Sequence, residues 1–574
     1  MISLRQSTLV LQLTAAWATV ASGQSLAGAP VPCKGEVVTR IEIEANPPFR
    51  VTGDRVWHRW GRMAAKQHMT TKAAVIQRFL ALQVGDRCTE LRRTESERIL
   101  RAQPFLADAT VLAFPDGGGG VILGITTVDE ISLIVGVGVT AKSPFLHRLK
   151  LGEANLFGDA LYAAAEWKKG AQFRDIYSAR FTDYQFLGRP YQLNVQGGRR
   201  ELGSDWDTEL SHPFLTDLQR LSWRTTAGNA EGYYYFRRPN APSVGLLVGR
   251  SYSDIGGVIR VGPPLGRLAL VGGSLSFEDE DPAGLPTMVT DSGLFQDTST
   301  VLIGRYTTHK TARINGLWGL RNVRFLRASG FDALEGAQDL RTGAQIATLV
   351  GKGVTFLRGR ENDWFASSAM FFGVGGQRFY SALDVSGEGR RGEDGVWDGI
   401  LAHGRGALYI KPADRHTVVT DLTWSGGWRQ RIPFQLTFAD REGGLRGFRK
   451  ADVGGARRLV ARAEDRFLLG RYKAVASFGI AGFVEAGKLW AGDSPFGVDT
   501  PLSASVGFSV LGAAPPQSRR MWRLDFAFPV KGESRGRLEV RVTSLDLTRT
   551  FRVEPRDIYN SRERSVPSNV FNWP

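Results

Sequence analysis

The stretch GGLRGFRK, at positions 443–450, contains the residues whose types and spacing offer the clearest chemistry. Turns normally combine Gly with Asp, Asn and Ser, because those residues suit turn conformations, but here Arg446 and Phe448 flank Gly447. A guanidinium can pair bidentately with a carboxylate and stack on an aromatic ring, and glycine permits a sharp backbone turn. The stretch therefore predicts a binding contact made by a loop. An exposed loop whose arginine contacts only solvent is the alternative.

The histidines argue against catalysis. A hydrolytic site needs a His beside Asp or Ser, and no histidine of the chain lies in a recognisable nucleophile or metal-binding motif. The seven histidines are His58, His68, His147, His212, His309, His403 and His416. Glycine-rich stretches such as GVGGQR do not follow a strand and open a helix, as a phosphate-binding loop does. We expect no catalytic residue, no metal site, no cofactor and no enzymatic activity.

The charge balance of the 574 residues is strongly basic, at +16. A nucleic-acid binder is one interpretation of such a number. However, the basic residues are spread along alternating segments, often beside Asp and Glu, rather than clustered in a tail or stripe. We therefore expect no nucleic-acid partner. This even spread of basic residues fits a basic barrel interior, or contact with anionic lipid headgroups, better than it fits nucleic-acid binding.

Residues 1–23 have the pattern of a secretory signal peptide. Arg5 forms the positive n-region, residues 9–20 are mostly apolar, and small residues precede Gln24. A buried core helix is the alternative interpretation. Residues 24–35 follow as a linker, and no later run approaches the eighteen apolar residues of a membrane-spanning helix. The sequence predicts export without helical membrane insertion.

Cys33 and Cys88 are the only two cysteines of the chain. In an exported protein an even pair favours a disulfide, and neither residue has a Cys-x-x-Cys or His neighbour. The bridge would close a loop of about 55 residues, worth ~4 kcal/mol in the chain-entropy model. Two free buried thiols are the alternative.

Residues 36–130 predict a small α/β domain. The stretch EVVTRIEIEA alternates as a strand does, whereas TTKAAVIQRFLAL and LRRTESERILRAQPFL have helical spacing. Two short strands then surround a four-glycine turn. The predicted order is strand, helix, helix, strand, strand. An insertion at 47–69, with Trp57, Trp60 and His68, lengthens the first connection.

Residues 131–551 alternate between apolar and polar positions and contain no convincing helix. In WRLDFAF, for example, Trp522 and Leu524 alternate with Arg523 and Asp525. An exported chain without spanning helices crosses a bilayer only as a closed barrel, because lipid leaves no partner for free backbone groups. We predict a mainly β fold, a transmembrane antiparallel barrel of 16 strands at about 26 residues each. A large soluble all-β protein is the alternative.

Two groups of motifs resemble the BamA/TamA superfamily of outer-membrane insertases and translocators, over roughly residues 36–550. The stretches VIQRFLALQVGD and SERILRAQPFLADATV resemble a POTRA domain, and a generic capping domain is the alternative. GGLRGFRK followed by GGARRLVARAEDRF resembles the sixth-loop signature of the barrel, with its Arg-Gly-Phe motif. GEANLFGDALY resembles an early hairpin of the same barrels.

The resemblance implies a role for particular residues. Arg446, Gly447 and Phe448 match the motif that anchors the sixth loop inside the lumen, and Glu464 and Glu485 match its acidic partners. Family members more often have Asp at the position of Glu485. We expect Arg446 to meet Glu464 or Glu485.

The resemblance also implies a weakly paired seam between the first and last strands, at 131–140 and 537–547. The seam residues are Ile131, Val135, Leu538, Val540 and Val542. Family barrels usually finish at a terminal aromatic residue, whereas here 23 residues follow Phe551. We expect residues 552–574 to form a tail in the periplasm.

The implied function is outer-membrane protein assembly, or polypeptide translocation, by a barrel with a lateral seam. The expected partners are the outer-membrane bilayer, an unfolded polypeptide client recruited by the POTRA domain, and a periplasmic chaperone or accessory protein. A single POTRA domain, placed in the periplasm, argues against the main insertase, whose relatives carry several. A passive pore or structural barrel without a client is the alternative.

Overall fold

The computed structural model describes residues 28–49, 69–139, 146–170, 173–264, 266–282, 284–290, 293–355, 359–473, 475–545 and 554–563. The predicted signal peptide and most of the insertion at 47–69 lie outside these residues. The described chain forms a small four-stranded α/β sheet followed by a closed β-barrel.

The α/β sheet has the strand order β2-β1-β4-β3. Its elements are β1 (Lys34–Asn46), α1 (Ala73–Arg78), β2 (Arg87–Thr89), α2 (Glu90–Ala102), β3 (Leu106–Pro115) and β4 (Val121–Asp129). This is the predicted order with the short β2 added. Helix α2 begins where the Thr89 hydroxyl accepts a hydrogen bond from the Arg92 amide, at 3.4 Å, which satisfies one of the unpaired donors of its first turn. Ile99 and Leu100, on the apolar face of this helix, are buried.

A disulfide joins Cys33 and Cys88. Both residues are buried in a cluster with Val38, Leu82 and Leu123. The bridge links the start of β1 to β2, 55 residues further along the chain, so it closes the connection that contains α1.

Antiparallel strands joined in chain order form the barrel, a hairpin added to its rim and a small separate sheet. They are β5 (Leu133–Val139), β6 (Leu146–Leu156), β7 (Leu161–Lys168), β8 (Ile176–Asp183), β9 (Gln192–Arg200), β10 (Gly203–His212), β11 (Leu221–Arg238), β12 (Ala241–Val261), β13 (Leu268–Asp281), β14 (Thr287–Thr290), β15 (Gly293–Gln296), β16 (His309–Ser329), β17 (Ala337–Gly353), β18 (Trp364–Gly375), β19 (Phe379–Arg391), β20 (Trp397–Ala413), β21 (His416–Trp428), β22 (Leu436–Thr437), β23 (Gly454–Gly455), β24 (Arg457–Tyr472), β25 (Ala476–Trp490), β26 (Ser503–Ala513), β27 (Met521–Lys531) and β28 (Glu539–Leu545). A short helix, α3 (Arg556–Ser561), follows.

The wall of the barrel has 20 strands in the described part of the chain, not the sixteen expected from the sequence. The β14–β15 hairpin extends one rim, since β13 pairs directly with β16. The pair β22–β23 forms a separate small sheet. The expected count was too low because it assigned about 26 residues to each crossing, whereas several hairpins have short turns. Strands β11 and β12, for example, are separated by two residues.

Each wall strand presents apolar side chains outward. On β25, Phe478, Ile480 and Val484 are exposed, whereas Phe483 and Glu485 are buried inside. Closure of the barrel leaves no sheet edge with unpaired backbone N–H and C=O groups. A band of exposed apolar side chains around such a barrel is what a bilayer requires. Among the described helices, none has the length and apolar character that crossing a membrane requires.

The α/β unit contacts one end of the barrel, which we call the domain-facing end. Arg101 on α2 pairs with Asp339 at 2.6 Å, and the Ser518 hydroxyl donates to Glu130 at 2.7 Å. Burial raises the pKa of Glu95, but Arg98 and a hydrogen bond from Thr216 outweigh burial, and its pKa lies below the ordinary value. Charged contacts therefore fix the unit against the barrel turns.

Replacing Val484 with Arg should lower the free energy of unfolding by about 2–4 kcal/mol, because Val484 lies near the middle of β25 and faces outward. The matched control is Tyr472→Arg, at the exposed end of β24, which should cost only about 0–1 kcal/mol. Denaturant unfolding in phospholipid vesicles measures both. Equal costs at the two positions would contradict the placement of this face in lipid.

Candidate functional site

The connection at 429–456, between β21 and β24, folds into the barrel interior, and we call it the lumen loop. It leaves the barrel at the end opposite the domain-facing end, which we call the outer end. Its apolar side chains are nevertheless buried in one cluster with wall residues Leu401, Val460 and Leu489. The loop members of the cluster are Phe434, Leu436, Phe438, Leu445, Phe448, Ala451, Val453 and Ala456. Burial of this apolar surface holds the loop inside the lumen.

Arg446 lies at the centre of the site, where it contacts carboxylates from three strands. Its Nε donates to Glu485 Oε1 at 2.6 Å, and its backbone amide donates to Glu485 Oε2 at 2.8 Å. Its Nη1 donates to Glu464 Oε2 at 3.1 Å and approaches Asp525 Oδ1 at 3.4 Å. The expectation named Glu464 or Glu485; the guanidinium reaches both. It thereby connects the loop to β24, β25 and β27.

The aromatic and glycine residues of the motif have separate structural tasks. The Arg446 guanidinium lies over the Phe483 ring, 3.4 Å from its centroid, and the Phe448 ring meets Phe438 edge-on at 5.7 Å. Gly447 has φ +89°, and a Cβ there would lie 2.7 Å from Pro529 Cγ. A side chain at this position would therefore be strained both by conformation and by contact.

Gly487, two residues after Glu485 on β25, leaves space for the lumen loop. Glu485 and Gly487 point into the lumen from the same face of β25. A Cβ on Gly487 would lie 2.9 Å from Phe438 Cε1. Strand β25 thus supplies the Glu485 carboxylate for Arg446. Two residues further on, Gly487 leaves the space that the Phe438 ring of the loop occupies.

A second set of arginines balances the carboxylates around Arg446. Arg523 donates to both oxygens of Glu464, at 2.8 and 2.7 Å, and Arg466 Nε donates to Glu464 at 2.5 Å. Arg523 and Asp525 were not among the predicted site residues. The alternation of WRLDFAF already placed both on the polar face of β27, and that was the available signal.

The lumen loop also contacts the last strand and the turn before it. The Arg449 amide donates to Glu539 at 3.2 Å, the Asp452 amide donates to Glu533 at 3.3 Å, and Arg541 donates to the Arg441 carbonyl at 3.2 Å. The loop that Arg446 holds therefore braces β28 from inside the barrel.

The five predicted seam residues lie where the barrel closes, because β28 and β5 are neighbours in the wall. Val135 is on β5, and Val540 and Val542 are on β28, all with exposed side chains. Ile131 and Leu538 lie just before those two strands.

The expected periplasmic tail is wrong for residues 554–563, which lie inside the barrel. Asp557 pairs with Arg458 at the start of β24, and Glu563 pairs with Arg313 of β16. Ile558 is fully buried in the same apolar cluster as the lumen loop. The physical reason is charge: inward-facing arginines in the wall offer partners for these two carboxylates.

Fold and site together define a class: a closed antiparallel barrel whose lumen holds an arginine-anchored loop. Within the described residues, no group of three or more His, Cys, Asp or Glu side chains could hold a metal ion.

Neither the family models nor the curated proteins give a match to this chain. Among solved structures, the chain is similar to BamA from Haemophilus ducreyi lacking POTRA domains 1–3, at 12% identity, 89% of this chain, 84% of that chain and a TM-score of 0.37. It is also similar to CdiB from Escherichia coli, at 10% identity, 92% of both chains and a TM-score of 0.35. CdiB from Acinetobacter baumannii matches at 10% identity, 89% of this chain, 73% of that chain and a TM-score of 0.37. BamA, whose name the predicted superfamily carries, is thus among the structures that the chain resembles. With TM-scores below 0.5 the likeness supports no statement about activity, and the fold rests on the strand pairing itself.

Arg446→Ala should destabilise the lumen loop by about 3–5 kcal/mol, because it leaves the buried Glu485 carboxylate without its closest cation. Arg446→Lys should recover only part of the loss, since an ammonium cannot reproduce the fork. Limited proteolysis of the folded barrel at the loop, together with the unfolding midpoint, measures the effect.

The matched control for this prediction is Arg449→Ala, because Arg449 is exposed and contacts Glu539 only through its backbone amide. Its loop should be as resistant as that of the parent protein. Equal proteolysis of the Arg446→Ala barrel and the parent barrel would show that the loop does not depend on this anchor.

Proposed function

We propose that this protein inserts or translocates polypeptides in the bacterial outer membrane through a seam between β5 and β28. The observation that carries the proposal is that β28 and β5, the last and first strands of the wall, are neighbours where the barrel closes. Every other pair of neighbouring wall strands is consecutive along the described wall and is joined by the chain segment between them. Among the described wall strands, this junction alone has no connecting segment that holds its two strands together.

Parting any two wall strands breaks the backbone hydrogen bonds between them, each worth about 0.5–1.5 kcal/mol net. At a hairpin such as β16–β17, the connecting turn also holds the two strands together. An opening between β5 and β28 meets no such connection, so the closing pair is where the wall can part without distorting a turn. A client strand could then add to the exposed edge by backbone pairing.

The Arg446 anchor gives this seam an internal support. Because the loop amides of Arg449 and Asp452 donate to Glu539 and Glu533, releasing the loop would also release the inner side of β28. In this proposal Arg446, Gly447 and Phe448 hold the loop, and Glu464 and Glu485 are its lumen partners.

The α/β unit at 36–130 has the proposed role of a POTRA domain that recruits the client in the periplasm. Strand β3 is an edge strand of its sheet, and strand addition to such an edge gives affinity without demanding a particular sequence. A client strand would have to displace the present partners of this edge, because main-chain groups of Ala109 and Val111 bond to side chains of α2 and the Ala113 carbonyl accepts from the Val31 amide. The contacts of α2 with the barrel turns place this edge close to the domain-facing end. A passive pore is the weaker candidate, because the lumen loop and residues 554–563 occupy the lumen.

Cross-linking the seam should block the function. Cysteine pairs at Val135 with Val540, or Val135 with Val542, should lower the delivery of client proteins several-fold when oxidised, and reductant should restore it. The matched control is a cysteine pair at Val135 and Leu151, which are partners on the adjacent strands β5 and β6. This bridge leaves the seam free and should leave delivery unchanged. Full activity of the oxidised seam variants would refute the lateral seam.

Quantitative outer-membrane proteomics after depletion of the protein identifies the client. A fall in many barrel proteins would indicate general insertase activity, and the loss of one surface or secreted protein would indicate a dedicated translocator. No change in any client protein would favour the pore or structural barrel instead.

A further inference from the structure

Residues 554–563, which we call the C-terminal segment, lie in the outer part of the lumen. Strand β28 ends at Leu545, beside Met521 at the domain-facing end. The C-terminal segment, in contrast, contacts Arg458 and Arg390, which lie at the outer ends of β24 and β19. The chain has therefore returned into the barrel after its last strand.

One end of the C-terminal segment is held by Asp557 and Ile558. The Asp557 carboxylate accepts from Arg458 at 2.5 and 3.0 Å, and its amide donates to Asp440 of the lumen loop at 3.2 Å. The Ile558 side chain is completely buried. Both charge and apolar packing hold this end in place.

The other end is held by Glu563, whose carboxylate pairs with Arg313 and lies 3.5 Å from Arg390. Its amide donates to Glu388 at 3.0 Å. Arg313 keeps a second partner in the wall, Asp363 at 2.6 Å. Arg313 therefore stays paired with or without the C-terminal segment.

The backbone of the C-terminal segment is recognised as well as its side chains. Arg250 donates to the carbonyls of Asn560 and Arg562, at 3.1 and 2.7 Å. These contacts would form with any peptide in the same path, because they use main-chain atoms.

The wall arginines make this place a site for an anion. Among the described residues, the ion-pair partners of Arg390 and Arg458 come from the C-terminal segment, and both guanidiniums are buried. A buried arginine without a carboxylate is costly, so the site requires an anionic occupant or water. The arginines select carboxylates at two positions of the occupant, whereas the buried Glu388 lies 3.9 Å from Arg562 of the segment.

We propose that Arg250, Arg313, Arg390 and Arg458 form a lumen binding site for acidic peptide segments, and that residues 554–563 occupy it as a built-in plug. Barrels of this strand number leave a channel unless something fills the lumen. Occupancy by the C-terminal segment keeps the outer half closed to ions. The proposal does not rest on the polypeptide seam, because ion conductance reports the plug alone.

The test measures ion conductance in planar lipid bilayers for three chains. The chain that ends at residue 553 should conduct several-fold more than the full chain, whereas a control chain that ends at residue 566 should behave like the full chain. Heat-modifiable gel mobility establishes that each barrel is folded. Equal conductance of the folded 553-residue chain and the full chain would overturn the proposal.

A synthetic peptide with the sequence of residues 554–563, EPRDIYNSRE, should close the 553-residue barrel again. The same peptide with D557N and E563Q should require a concentration at least about tenfold higher for an equal block of conductance, since it lacks the two carboxylates that meet the wall arginines. Equal block by both peptides would overturn the recognition of acidic side chains.

A full-length variant keeps the proposal falsifiable if the shortened chain fails to fold. Asp557→Asn together with Glu563→Gln removes both carboxylates without shortening the chain. This barrel should open to ions repeatedly, and conductance as low as that of the parent protein would overturn the plug.

Discussion

The pairing of buried arginines with carboxylates inside the barrel is the constraint on which the rest of the structure depends. A guanidinium taken out of water is stable only when a carboxylate or several carbonyls replace its hydration. Arg446 meets this need with Glu485 and Glu464, and Arg458 meets it with Asp557. Each pair joins a wall strand to a segment from elsewhere in the chain. The positions of the lumen loop and the C-terminal segment thus follow from charge compensation as much as from apolar packing.

The lumen loop and the C-terminal segment form one connected body. The amide of Asp557 donates to Asp440, and Ile558 shares an apolar cluster with Phe438 and Phe448. A change that released the C-terminal segment would therefore expose part of the surface on which the loop rests. Because the loop also touches β28 through Glu539, the contents of the lumen and the closing strand are mechanically linked.

The sequence predicted the parts of this structure that local patterns encode. Alternation gave the antiparallel barrel, and the Arg446 motif directed attention to the loop. The strand count was missed because hairpin turns at the rim vary in length and leave no periodic signal. The C-terminal segment was missed because EPRDIYNSRE has no pattern that distinguishes an exposed tail from a buried ligand. Its place is determined by Arg313 and Arg390, which are distant in sequence and come together only when the barrel closes.

The two routes that the proposed function allows would make different demands on the contents of the lumen. A client strand that entered between β5 and β28 would meet the side of the lumen loop near Glu539, and it would leave the arginines around Glu563 paired. A chain passing along the lumen would instead have to displace the C-terminal segment, and it would do so most easily if it carried carboxylates to replace Asp557 and Glu563. In the proposed function, the filled lumen would therefore favour lateral entry for chains in general and would restrict axial passage to those that satisfy the buried arginines.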